Sequence, residues 1–257
     1  MSEHVSNDPT NIERALLNDK VRDADVSMFT IGHVVNCILQ RSKVLYDCEK
    51  PDQLIKQWGK GNKEPLLDAR ADRQEVFVRR TLASALIEYE TLTPFIQKIK
   101  QPNIVTDIGC GYGFIDLFIQ QEFDCELRLV DLEQTDEIYF SYRKQGAAYS
   151  NLGIAKEFLV ANGVNPDKIT TINPRTNNLI DFGHSDLSIS LLSCGFHYPL
   201  STYGEYFEQV TKTGGIMIVD LRSHMASEEI RFLSTLGIST TAVSDSPFMR
   251  VLGVRDV

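Results

Sequence analysis

From Ile104 onward, short runs rich in β-branched residues alternate with stretches of helical periodicity, and this alternation restricts the architecture more than any other feature. The apolar runs fall at Ile104–Ile108, Glu126–Asp131, Lys168–Ile172, Leu187–Leu192 and Ile216–Leu221, with terminal runs at Ser239–Val243 and Met249–Val254. Helical stretches follow at Gly113–Gln121, Asn151–Asn162, Tyr203–Lys212 and Ser227–Leu236. A crossover between parallel strands is almost always right-handed, so this order predicts an α/β fold with a doubly wound, mostly parallel sheet. Ligands of such sheets sit beyond the carboxyl ends of the strands, where the strand order reverses. That points to the turns after Asp107, Asp131, Leu192 and Asp220.

The first hundred residues have another rhythm. Val78, Leu82, Ala85, Leu86 and Tyr89 recur at helical spacing, and a further short helix is expected through Leu92, Phe95, Ile96 and Ile99. Gly59–Pro65 reads as a loop between a helix near Gln53–Trp58 and a long one after Arg73. The expected organisation is a helical N-terminal cap over residues 1–100, shaping a substrate pocket, and an α/β domain over residues 101–257.

Charge narrows the partners. The chain has 26 basic and 35 acidic side chains, a net charge of -9. Residues 1–100 hold 15 of each sign, so the whole acidic excess follows residue 100. An anionic body is poorly suited to neutralising phosphates along a nucleic acid, so a small-molecule partner is expected. No apolar run approaches the roughly 18 residues that span a bilayer, and the first 30 residues do not read as a secretory signal, so a cytoplasmic location is expected. Five cysteines without a C-x-x-C pair read as free thiols, and with no compact acidic triplet no metal is expected.

The most informative segment is Asp107-Ile108-Gly109-Cys110-Gly111-Tyr112-Gly113, a strand end leading into a helix. Glycines at alternate positions let the backbone turn tightly and approach a ligand, and a helix amino terminus offers unpaired N–H groups. Asp131 ends the next strand, 22 residues after Gly109, where a carboxylate can accept both hydroxyls of a ribose. Dinucleotide sites use G-x-G-x-x-G, whereas here the third glycine comes one residue sooner and an aspartate precedes the turn. A carboxylate there repels a diphosphate and suits an amino group.

At these residues the sequence resembles the class I S-adenosylmethionine-dependent methyltransferases, whose first motif D/E-x-G-x-G-x-G is matched without departure by Asp107–Gly113; the resemblance covers about residues 103–255. The resemblance implies a Rossmann-like, seven-stranded sheet with the last strand antiparallel. It implies S-adenosylmethionine as cofactor, with Asp107, Gly109, Cys110, Gly111 and Gly113 at the methionine portion, Asp131 at the ribose, Leu132 at the adenine and Asn173 at the adenine amino group. Ser193 completes the set.

Ser193-Cys194-Gly195-Phe196-His197-Tyr198-Pro199 follows the fourth strand and is expected over the cofactor's methyl group. An alcohol acceptor benefits from a general base, and His197 is the first candidate. Phe196 and Tyr198 are expected as pocket walls. Asp220 and His224 are further catalytic candidates, with helix capping the competing reading of Asp220. Arg73 and Arg80, with Arg70 and Arg79, form a basic cluster that could hold a phosphate or carboxylate of the acceptor; pairing with Asp68, Asp72 and Glu75 is the bland alternative.

The expected function is methyl transfer to an oxygen of a small polar acceptor such as a sugar, phosphorylated or carboxylated, with a homodimer among the assemblies open to it. The rivals are a small-molecule N-methyltransferase, a non-catalytic S-adenosylmethionine-binding regulator, and a nicotinamide-dependent reductase disfavoured by the glycine spacing.

Overall fold

A computed structural model describes residues 8–97, 101–132, 151–244 and 248–255. The chain divides into two compact units, one closing at Thr91 and the other opening at Leu92. The α-helices, in chain order, are α1 (Pro9–Leu16), α2 (Asp19–Arg22), α3 (Ile31–Gln40), α4 (Pro51–Gly59), α5 (Glu64–Ala69), α6 (Gln74–Ile96), α7 (Phe114–Phe123), α8 (Leu152–Ala161), α9 (Gly204–Lys212) and α10 (Ala226–Thr235). Among the described residues no helix is long and apolar enough to cross a membrane.

The separate helix expected through Leu92–Ile99 is instead the end of α6, which runs unbroken to Ile96 with Pro94 inside. Proline there forfeits only one N–H, close to the helix end, so the helix absorbs it. Ile99 lies outside the described residues. The basic cluster has internal partners. Arg73 donates to Asp47 at 2.6 Å, and Arg80 reaches both oxygens of Asp47 at 2.7 and 2.9 Å while stacking 4.0 Å from the Tyr46 ring centre. The two guanidiniums hold the Asp47 carboxyl far below the usual carboxylate range. Arg73 and Arg80 thus pair with an acid of an internal turn, a partner other than the Asp68, Asp72 and Glu75 weighed from the sequence. Arg79 pairs with Glu75 at 2.7 Å and donates to the carbonyls of Val21, Arg22 and Ala24 at the end of α2.

The other unit is built on a seven-stranded sheet in the order β3-β2-β1-β4-β5-β7-β6. Its strands are β1 (Ile104–Ile108), β2 (Glu126–Val130), β3 (Ile169–Ile172), β4 (Leu187–Ser190), β5 (Ile216–Leu221), β6 (Ile238–Ser244) and β7 (Met249–Arg255). β1 to β5 are mutually parallel, and β7 runs antiparallel to both of its neighbours. Helices cover both faces, so the central strands are buried on both sides and read as continuous apolar runs; all four residues of β4 are buried. The strand order reverses between β1 and β4. There Ser190 Oγ donates to the carbonyl of Ile108 at 2.8 Å and accepts from the Cys194 N–H at 2.9 Å, binding the two strand ends together.

Candidate functional site

β1 enters a turn in which Gly109, Gly111 and Gly113 have φ of 84°, 60° and 70°. At Gly109 glycine is required twice over, because a Cβ there would also overlap the Ser193 side chain. The Gly109 N–H donates to the carbonyl of Val130 at 2.7 Å, pinning the turn to the end of β2. α7 opens after Gly113 with no side-chain cap on its first amides. Asp131 closes the arrangement: one carboxylate oxygen accepts the Gly111 N–H at 2.9 Å, the other the Leu132 N–H at 2.7 Å. A carboxylate offers about four lone-pair positions, more than these two amides use. The glycine turn and the acid therefore meet at one place.

Beside them lies a cavity of about 970 Å³, lined by Leu132, Pro174, Asn177, Leu179, Tyr198 and Tyr203 among others. Asn173 precedes this wall, but its Oδ1 accepts the Arg175 N–H at 3.0 Å and so closes its own turn.

Asp107 is 3% exposed, and its carboxyl lies against that of Asp116, a residue absent from the sequence-derived candidates. Asp116 is fully buried in the first turn of α7, and neither of its oxygens has a hydrogen-bond donor. Two carboxylates only accept, so no ordinary bond joins them until one carries a proton. Burial raises the Asp116 carboxyl to about 7, with Asp107 opposing. Cys110 is also buried, its thiol pushed well above the ordinary range by desolvation and by Asp131, Asp107 and Asp116. A signal for Asp116 exists in the sequence: it is the one acid within the apolar run Phe114-Ile115-Asp116-Leu117-Phe118-Ile119.

On the β4 side, Leu192 has φ of 52°, a strained value for a bulky residue. Its N–H donates to Asp220 at 3.1 Å. Asp220 is fully buried and bound through both oxygens by Arg250 of β7, at 2.6 and 2.8 Å. Its register partner is Arg250, so the antiparallel strand delivers the cation. Asp220 anchors the turn that carries His197, and it does not cap α10, whose N-cap is Met225. His224 is exposed in the turn after β5, and no hydrogen bond joins it to His197 or Asp220 among the described residues.

The Ser193–Pro199 turn is tight. Ser193 accepts from the N–H groups of Phe196 and His197 through its carbonyl, and its hydroxyl lies 3.2 Å from the Tyr198 hydroxyl. The Phe196 ring stands edge-on to the His197 ring at 5.1 Å, and the Arg222 guanidinium lies 4.5 Å from the Phe196 ring centre. Burial, and secondarily the charge of Arg222, lower the His197 pKa to about 4, and its Nδ1 is buried without a partner. The imidazole is therefore neutral at pH 7. An unfolded histidine takes a proton near pH 6.5, so this group favours the folded state above that pH and loses its contribution as the pH falls toward 4. Between pH 6.5 and 4.5 the melting temperature is expected to fall less in His197→Gln than in the wild type; equal falls in a pH-series melt would refute this.

No family model and no curated protein matches the sequence. Among solved structures, that of the pyocyanin biosynthetic protein PhzM has a TM-score of 0.50 at 12% identity, covering 88% of this chain and 74% of that one. Magnesium protoporphyrin IX methyltransferase from Synechocystis, with bound SAM, follows at 0.43 and 18%, covering 68% and 84%. Geranyl diphosphate methyltransferase, in complex with GPP and sinefungin, has a TM-score of 0.46 at 12%, covering 68% and 80%. At these identities the likeness concerns the fold alone: the sheet, with its antiparallel β7, is that of the Rossmann-like class I methyltransferases.

Proposed function

We propose that this chain, having the class I methyltransferase fold, transfers a methyl group from S-adenosylmethionine to an oxygen of a small polar acceptor. The observation that carries this reading is the clasp of Asp131 on the Gly111 amide, which sets an acid for a ribose beside a turn open to the methionine portion. Leu132, at the edge of the adjoining cavity, offers an apolar contact to the base. When bound, the cofactor supplies an activated methyl group; the protein's task is alignment and exclusion of water.

His197 stands at the β4 end with a bare imidazole nitrogen, suited to take the proton of an acceptor hydroxyl as the C–O bond forms and the C–S bond breaks. Its low basicity favours an acidic hydroxyl, and it equally supports a second reading, methylation of a neutral amine that needs no strong base. Arg222, at the end of β5, donates Nε–H to the carbonyl of Phe196 at 3.0 Å and has no carboxylate partner among the described residues. A phosphate or carboxylate of the acceptor would suit that charge and, by neutralising it, raise the basicity of His197.

Calorimetry should show binding of S-adenosylmethionine and S-adenosylhomocysteine, and an acceptor panel should release S-adenosylhomocysteine. His197→Ala should lower kcat for an oxygen acceptor by about a hundredfold or more at unchanged cofactor affinity. A folded protein that binds neither compound sinks the proposal, and an unchanged kcat leaves only the amine reading.

A further inference from the structure

We infer that Arg70, at the end of α5 in the helical unit, is the receptor of an oxyanion, a carboxylate or a phosphate. Residues four apart on a helix share a face, and Arg70 follows the fully buried Leu66 by four, its N–H donating to the Leu66 carbonyl at 3.3 Å. Arg70 is thereby set on the buried side of α5, and the residue is 9% exposed. Its Nε is buried without a hydrogen bond, and among the described residues no acceptor, acid or ring engages any part of its guanidinium. Arginine keeps its charge throughout the pH range in which proteins fold. A charge withdrawn from water and left unpaired is costly, so a buried guanidinium calls for an anion.

The neighbouring acids do not supply it. Asp68 and Asp72, on either side of Arg70 in the chain, are exposed and reach no guanidinium among the described residues. Both stand in water, where a charge is screened and does not replace a contact. Asp47 already serves two cations, Arg73 at 2.6 Å and Arg80 at 2.7 and 2.9 Å. Arg73 lies in the same tight turn as Arg70, its N–H donating to the Arg70 carbonyl at 3.0 Å, yet its charge is turned to Asp47. The terminal nitrogens of Arg70 are the part that neither burial nor a bond occupies. Their parallel N–H groups match the spacing of two oxygens of a carboxylate or phosphate, which therefore binds end-on across both. This inference does not rest on the function proposed above.

The test is a calorimetric titration of the Arg222→Gln protein, in which the other guanidinium assigned to an anion is gone. With ionic strength held by sodium chloride, inorganic phosphate or acetate should bind at one saturable site, and the tighter of the two identifies the oxyanion. Adding Arg70→Met should weaken that binding by at least about tenfold. Arg70→Lys, which keeps the charge without the fork, should bind with intermediate affinity. In chloride alone, Arg70→Met should melt no more than about 2 °C below its parent, because it removes a buried charge that has no partner. No saturable site for either anion, equal binding after Arg70→Met, or a larger fall in melting temperature overturns the inference; the last would mean that an acid of the chain pairs with Arg70. None of these readouts involves S-adenosylmethionine, so they decide the Arg70 site even if the methyltransferase reading fails.

Discussion

Asp220→Ala is expected to cost about 3–5 kcal/mol of folding stability, the largest loss of any single substitution considered for this chain. Arg250 is 4% exposed, and the substitution removes the carboxylate that binds it through two hydrogen bonds. A buried guanidinium deprived of its bidentate partner retains its desolvation penalty without the compensating attraction. The Leu192 N–H loses its acceptor at the same time, at a residue already held in the left-handed region. Because Leu192 leads directly into Ser193–Pro199, turnover should fall along with stability. Urea denaturation gives the stability loss; a value below about 1 kcal/mol would mean that Asp220 is not the anchor described. Replacing both partners with apolar residues, Asp220→Leu with Arg250→Met, should recover much of the stability but not the turn, since the Leu192 amide would still lack an acceptor.

Gly109→Ala is expected to cost about 2–5 kcal/mol and to weaken S-adenosylhomocysteine binding by at least about tenfold. Part of the cost is the positive φ, which any residue with a Cβ resists. The rest is overlap with Ser193, which approaches Gly109 so closely because Ser190 binds the ends of β1 and β4 together. The two parts can be separated. Gly163 has φ of 92° with no atom within 4 Å of an added Cβ, so Gly163→Ala should show the backbone cost alone, about 1–2 kcal/mol. Adding Ser193→Gly to Gly109→Ala should return the overlap component, giving a positive coupling in a double-mutant cycle. Purely additive losses would show that the two residues do not meet.

Much of the α/β unit is legible in the amino-acid order. The strands at Ile104–Ile108 and Ile216–Leu221 carry their signal because a parallel strand buried on both faces needs an unbroken apolar run. The glycine turn and Asp131 are legible because few backbones other than a tight strand-to-helix turn require three glycines at alternate positions. The join between the stretch through Leu92 and the helix before it is not legible, because no local signal says whether two neighbouring helical stretches form one helix, here with Pro94 inside it.

The sequence by itself determined the layered architecture, the place of the glycine turn and the acid that closes on it, since each rests on periodicity or on backbone freedom between near neighbours. Only the tertiary structure decided how charges are shared: Arg73 and Arg80 go to Asp47, and Arg250 to Asp220. A charged residue shows its type in the sequence but not its partner, because the pairing depends on which distant groups burial excludes from water together. The strand order of the sheet makes that choice.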